Sequence, residues 1–402
     1  MSMNFKTLDS INLHSKKVLL RVDLNVPTMN GKVMDATRIT SIIPTIKLIL
    51  KKKGFPILLS HFGRPAGRID GRLSLKMIAP VISKLLGHPV FFSDDTVGNR
   101  VQKLIEDCDS NAVVLLENLR FLPGEENNDP SFAKSLAKLG DVFCNDAFSV
   151  CHRAHASTVG LANCLPSCVG PSVVQELEAL DKALTRPRKP IVAVVGGAKV
   201  STKIKILKNL IKKVDHIIIG GGMANTFLYA KGFPVGASLC EKDFSNIARE
   251  IQTEADTLKC KIHLPKDIVC AKEFNQNTQY SIFDSNLCPE NLMILDAGPK
   301  TIKNIKSVFS QSKTLIWNGP LGAFELQPFD NATNITARFA AELTERNLLI
   351  SIAGGGDTVA AFNSAGVNDN FSYLSSAGGA FLEWLEGKTL PGLTALEYTK
   401  LT

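Results

Sequence analysis

A recurring pattern most narrows the fold: short apolar, β-branched runs separated by stretches of helical periodicity. In the first half the runs are Val18–Val22, Ile57–Leu59, Val113–Leu116 and Val142–Cys144. In the second they are Ile191–Val195, Ile217–Ile219, Met293–Leu295, Leu315–Trp317 and Leu348–Ala353. Most lack polar alternation, as parallel strands covered on both faces do. Several open directly into Gly, Asp or Asn, which puts those residues at the carboxyl ends of strands, where open α/β sheets bind ligands. At 402 residues the chain can bury two or three cores, and the pattern predicts two α/β domains.

The polar residues after these runs sort by half. Before residue 155 they bring arginine and histidine: Arg21-Val-Asp23-Leu-Asn25, Arg38, His61-Phe-Gly-Arg64, Arg120 and His152-Arg153-Ala-His155. After residue 190 they bring glycine: Gly196-Gly197-Ala-Lys199, Gly220-Gly221-Gly222, Gly319-Pro320-Leu-Gly322 and Gly354-Gly355-Gly356-Asp357. Arginine grips carboxylate and phosphate through paired donors. Glycine lets backbone amides approach phosphates at a helix start. The first half therefore suits a small anion and the second a nucleotide.

Between them, Gly170-Pro171 leads into a helical stripe (Val173, Val174, Leu177, Leu180, Leu184) that ends near Pro187, followed by Arg186-Pro187-Arg188-Lys189-Pro190. This predicts a domain over 1–171, a connecting helix and hinge over 172–189, a second domain over 190–386, and a tail over 387–402.

Composition excludes several classes. The net charge of +8 is dispersed apart from Lys51–Lys53 and Lys212-Lys213, and only two Trp and four Tyr are present. Nucleic-acid binding calls for a concentrated basic face or stacking aromatics, so no such partner is expected. The nine cysteines have no CxxC spacing and read as reduced thiols. Met1–Lys17 has no apolar core of signal-peptide length, and no apolar run approaches the roughly 18 residues of a membrane span. A cytoplasmic protein without a membrane partner is expected.

Individual motifs leave alternatives open. Lys199 and Lys203, four apart on a predicted helix, suit a polyphosphate, or are solvated lysines beside a tight turn. Asp357 could hold Mg²⁺ against phosphate oxygens or cap a helix, and the two roles are compatible. Thr358 offers an amide and a hydroxyl beside it. Glu325 could accept hydrogen bonds from a ribose. His61 could meet an anion as imidazolium or as a neutral donor. His152 and His155 have metal-ligand spacing without an evident third ligand.

Taken together the motifs resemble those of phosphoglycerate kinase, over essentially the whole chain and in the family's order. The carrying segments are Arg21–Pro27, Ser60–Pro65, Glu117–Phe121, His152–Thr158, Gly196–Ile204, Ile218–Phe227, Trp317–Glu325 and Ile352–Thr358. The resemblance implies two doubly wound, Rossmann-like parallel-sheet domains joined by a helix and hinge. It implies reversible, Mg²⁺-dependent phosphoryl transfer from 1,3-bisphosphoglycerate to ADP, giving 3-phosphoglycerate and ATP, by in-line transfer with domain closure in a monomer. By that resemblance Asp23, Leu24, Asn25, Arg38, His61, Phe62, Gly63, Arg64, Arg120 and Arg153 would hold the phosphoglycerate. Gly197, Ala198, Lys199, Lys203, Gly221, Gly222, Asn318, Pro320, Glu325, Gly355, Gly356, Asp357 and Thr358 would hold the nucleotide, with Asp357 on the magnesium. Arg38, Lys199, Gly355 and Gly378 would be the catalytic positions, and the tail would return to the first domain. Two segments depart from the family pattern. Ser149-Val150-Cys151 stands where Gly-Thr-Ala is usual, and Ser376-Ala377-Gly378-Gly379-Ala380 where Thr-Gly-Gly-Gly-Ala is usual.

The main rival is a dinucleotide-dependent oxidoreductase, which should carry GxGxxG with an acidic residue about 20 positions on; Gly196–Lys203 does not fit that spacing. A non-catalytic binder on this fold should have lost Arg38, Lys199 or Asp357, and all three are present.

Overall fold

A computed structural model of the chain describes residues 5–276 and 278–397. It divides into two compact units: Met1–Leu177 together with Thr389–Thr402, and Glu178–Lys388. The division falls inside the helix Pro171–Leu180, which continues as a wider, π-type turn over Asp181–Thr185.

The first unit is built on six parallel strands, in spatial order Val90–Ser93, Val113–Leu116, Phe55–Leu59, Lys17–Arg21, Val142–Asn145 and Ser167–Val169. The Lys17–Arg21 strand sits inside the sheet, and its Val18, Leu19 and Leu20 are fully buried, which explains the absence of alternation in sequence. The long helix Thr37–Lys51 turns Ile39, Ile42, Ile46 and Ile49 inward at helical spacing and joins Leu20, Leu58 and Leu115 in one core. Residues past Thr389 add the short helix Pro391–Thr394, and the Gly392 amide donates to the Cys151 carbonyl (2.9 Å). Residues 398–402 of the expected tail lie outside the described residues.

The second unit repeats the logic with six parallel strands, ordered Lys261–His263, His216–Ile219, Ile191–Val195, Thr314–Asn318, Ile350–Gly354 and Tyr373–Ser375. One expectation is corrected here. The run Met293–Leu295 belongs not to this sheet but to an antiparallel one, where Asp267–Ala271 pairs with both Tyr280–Asp284 and Met293–Ala297. Its apolar character reflects packing with Cys270, Cys288 and Phe329, not burial under two helix layers.

A buried carboxylate ties the first sheet to the helix that leaves it. Asp146, directly after the Val142–Asn145 strand, accepts from the Ser172 amide (2.7 Å) and hydroxyl (3.1 Å), the Val173 amide (3.3 Å) and the Thr45 hydroxyl. It satisfies amides at the start of Pro171–Leu180 that no intrahelical carbonyl can reach. Gly170 makes room for it, since a Cβ there would lie 2.4 Å from the carboxyl carbon. Asp146→Ala strands these donors in a site with little water access. We expect it to lower unfolding stability by about 2–4 kcal/mol, read by guanidinium denaturation, with Thr45→Val costing about 1 kcal/mol.

In the second sheet His216 Nδ1 and His263 Nε2 lie 3.1 Å apart. Burial, with His216, Lys261 and Lys266 nearby, pulls His263 down to about 4. The folded ring therefore stays neutral where an unfolded histidine protonates near 6.5. Stability from this group is intact above pH 6.5 and falls as the pH drops towards 4, because only the unfolded state takes up the proton. The urea midpoint of the wild type should fall more between pH 7 and pH 5 than that of His263→Gln.

Candidate active site

In the first unit the predicted anion-binding residues gather at the carboxyl ends of the strands, around one buried charge. Arg21, the last residue of its strand, is fully buried. Its Nε donates to the Ser157 hydroxyl (2.9 Å), its Nη1 to the Val22 carbonyl, and its Nη2 to His61 Nδ1 (3.2 Å). The Ser157 hydroxyl and amide donate in turn to Glu125 (2.6 and 2.9 Å). Burial works against the Glu125 charge, but His155, Arg21 and Ser157 outweigh it and hold the carboxyl below its ordinary value. A buried anion thus answers a buried cation, as such burial requires.

This settles which form His61 takes. A guanidinium has no acceptor, so His61 Nδ1 accepts and the ring proton lies on Nε2. Burial, with Arg21, Arg120, Arg153 and His155 around it, holds the ring well below its ordinary pKa. His61 is a neutral donor, not an imidazolium.

Backbone hydrogen bonds draw the neighbouring motifs together. Asn25 Oδ1 accepts from the Gly63 amide (2.9 Å), and the Gly63 carbonyl accepts from Arg120 Nη1 (2.7 Å). Asn118 Oδ1 takes the Phe62 and Arg120 amides (3.1 Å each), fixing the turn after the Phe55–Leu59 strand to the turn after Val113–Leu116. Arg38, in the first turn of its helix, donates through Nη1 to Asp23 Oδ2 (3.0 Å) and the Asn25 carbonyl (2.9 Å). Arg120 pairs with Glu126 (3.2 Å); burial and the Arg153 charge pull it down to about 10. Arg153 Nε contacts His152 Nε2 (3.0 Å), and Arg64 is exposed. The side chains of Leu24 and Phe62 belong to the core, so these two can offer a ligand only backbone.

His155 turns inward, with Nδ1 3.6 Å from Glu125. Among the described residues no group of three metal-ligating side chains occurs.

In the second unit the glycine turns lie backbone to backbone. A Cβ on Gly196 would sit 1.9 Å from the Pro320 carbonyl oxygen, and one on Gly221 (φ +66°) 2.7 Å from that of Gly197. No side chain fits between these turns. Beside them is a cavity of about 360 Å³, with Gly197, Ala198, Gly221, Gly222, Pro320, Glu325 and Asp357 among its lining. Leu239, Met293, Leu295 and Phe324 add an apolar wall that the motifs alone did not reveal. It comes from the antiparallel sheet and from loops, and in sequence it reads as ordinary core.

Two readings of this region are corrected. Lys199 and Lys203 do not share an α-helical face: Lys199 is extended and precedes the single turn Val200–Thr202, and the helix starts only at Ile204. Lys199 is exposed, whereas Lys203 is half-buried and donates to Asn318 Oδ1. Burial lowers the Lys203 pKa, while the Asp357 and Glu386 charges act the other way. The helix cap before Asp357 is Gly355 (φ +105°), so Asp357 is not the N-cap. The Thr358 hydroxyl is committed within the protein, accepting from the Gly319 amide (2.7 Å) and donating to the Gly354 carbonyl (3.0 Å). Gly378 (φ +46°) precedes Gly379–Leu385, and the Ala377 beside it is buried.

The phosphoglycerate kinase family model matches residues 8–388. The phosphoglycerate kinase of Dinoroseobacter shibae is 56% identical over 98% of this chain and 100% of its own. That of Agrobacterium fabrum is 53% identical over 98% and 99%. Among solved structures, phosphoglycerate kinase from Coxiella burnetii superposes with a TM-score of 0.90 at 40% identity, covering 98% of both chains. The enzyme from Pyrococcus horikoshii gives 0.82 at 29% identity, covering 97% of this chain and 98% of its own. With a family model spanning nearly the whole sequence and relatives above half identity, the chain belongs to the phosphoglycerate kinase family.

Proposed function

We propose that Arg38 and Lys199 neutralise the phosphoryl group that passes between 1,3-bisphosphoglycerate and ADP, the glycolytic reaction of this family and hence of this chain. The observation that carries the reading is the donor set at the carboxyl edge of the first sheet. Arg38, neutral His61, Arg120 and Arg153 lie there, with the exposed Arg64 in the turn after the Phe55–Leu59 strand, and the acids paired with this set among the described residues, Asp23 on Arg38 and Glu126 on Arg120, are fewer than its arginines. Such a site fits a small polyanion carrying a phosphate and a carboxyl group.

The attacking oxygen belongs to ADP, or in reverse to the carboxylate of 3-phosphoglycerate. Both are ionised near neutral pH, so no general base is needed. Catalysis reduces to alignment, exclusion of water and stabilisation of charge on the moving phosphoryl group. The cavity beside the glycine turns takes the nucleotide in this reading. Its apolar wall receives the base, Glu325 the ribose, and the amides of Gly197, Ala198, Gly356 and Thr358, with Lys203, the phosphates. Gly355 and Gly378 hold turns that only glycine adopts without strain. Asp357 is exposed at the cavity rim and offers the hard oxygen that suits Mg²⁺. The ion would supply charge neutralisation along the phosphates. In the same reading the chain works as a cytoplasmic monomer and does not act on nucleic acid, in keeping with its dispersed basic residues and nine unpaired cysteines.

Arg38→Ala should reduce kcat by about 10²-fold or more while leaving the KM for nucleotide within a fewfold of wild type. A near-normal kcat would remove Arg38 from the mechanism. Asp357→Ala should raise the KM for Mg-ATP by about tenfold, yet leave metal-free ADP binding by calorimetry nearly unchanged; equal losses in both would mean that Asp357 contacts the nucleotide and not the metal.

A further inference from the structure

We propose that Ser149 is a positioning residue for phosphoglycerate, holding the Asp23 carboxylate on which Arg38 is seated; the proposal rests on the roles given above to Asp23 and Arg38. The Ser149 hydroxyl donates to Asp23 Oδ2 at 2.6 Å, across 126 positions of sequence. The same oxygen takes Arg38 Nη1 at 3.0 Å, and Asp23 Oδ1 takes the Asn25 amide at 3.0 Å. Three donors from three segments thus fix one carboxylate.

Two of those donors cannot hold it alone. The Asn25 amide lies two positions away on the same chain turn and moves with Asp23. The Arg38 side chain is 35% exposed, and an ion pair that open is weak and free to rearrange. Ser149 is different in kind, because its turn is clamped. Phe148 and Val150 on either side are both buried. The Val150 amide donates to the Ala147 carbonyl (3.2 Å) and the Cys151 amide to the Phe148 carbonyl (2.9 Å). A short hydroxyl-to-carboxylate bond from a fixed turn sets the direction of the carboxylate, and the carboxylate sets where the guanidinium rests. Ser149 is the first residue of the segment that departs from the family's Gly-Thr-Ala. A glycine there has no side chain to make this bond.

The test is steady-state kinetics on the full chain, varying 3-phosphoglycerate and ATP separately, for Ser149→Ala, Ser149→Gly, Asp23→Ala and the Ser149→Ala/Asp23→Ala double variant. Loss of a hydrogen bond to a charged group should lower kcat/KM for 3-phosphoglycerate by about tenfold in both Ser149 variants, with the KM for ATP within about twofold of wild type. In the Asp23→Ala background the further loss should shrink to less than about twofold, since the acceptor is gone. If Asp23→Ala is impaired but the Ser149 variants match wild type, the Ser149 proposal falls and the reading of the site stands. If Asp23→Ala itself behaves as wild type, the reading of the site fails and takes the proposal with it. A Ser149→Ala loss that persists undiminished without Asp23, or an equal rise in the KM for ATP, also overturns it.

Discussion

The first unit depends on a charge that has no access to water. Arg21 closes a strand directly after the apolar Val18, Leu19 and Leu20, and its guanidinium persists there because each of its three nitrogens has a partner and Glu125 lies one serine away. That requirement organises its surroundings. It draws the Ala156–Gly160 segment onto the end of the sheet, brings Glu125 down from the helix Pro123–Glu126, and sets the tautomer of His61. A neutral histidine among arginines is the outcome, and it donates without adding to the mutual repulsion of the cations around it.

The two units present donors in different ways. In the first, side chains do the work, so their direction must be enforced by second contacts such as Asn118 on two turns and Ser149 on Asp23. In the second, backbone amides do it, and direction is enforced by excluding side chains altogether. The contact of Gly196 with Pro320 and of Gly221 with Gly197 leaves no volume for a Cβ. Substitutions are therefore expected to act differently in the two. A lost hydroxyl in the first frees one side chain, whereas an added methyl in the second pushes whole turns apart.

How legible this was in sequence depended on local pattern. Interior strands such as Ile191–Val195 were readable because burial on both faces erases alternation. Edge strands such as Val90–Ser93, Lys261–His263 and Tyr373–Ser375 are half-covered and short, and they leave no such trace. The antiparallel sheet was invisible for a related reason: Tyr280–Asp284 is largely exposed, and Met293–Leu295 looked like any buried run. Arg38, Arg120 and Arg153 could be nominated from their places after strand ends. Arg21 was in plain view, but only its burial distinguishes a structural charge from a ligand. The helix start at Ile204 and the pairing of Ser149 with Asp23 depend on tertiary contacts that no local spacing encodes.

The division of the chain has a temporal side. The second unit is one uninterrupted stretch, Glu178–Lys388, whereas the first also takes in the chain from Thr389 onward. On the ribosome, the glycine-built unit has all its own strands available before the first unit can seat Pro391–Thr394 and offer the Gly392 amide to Cys151. The arginine-lined unit, although synthesised earlier, is finished last. Completion of the unit that starts the chain thus waits for the whole of the second unit to emerge.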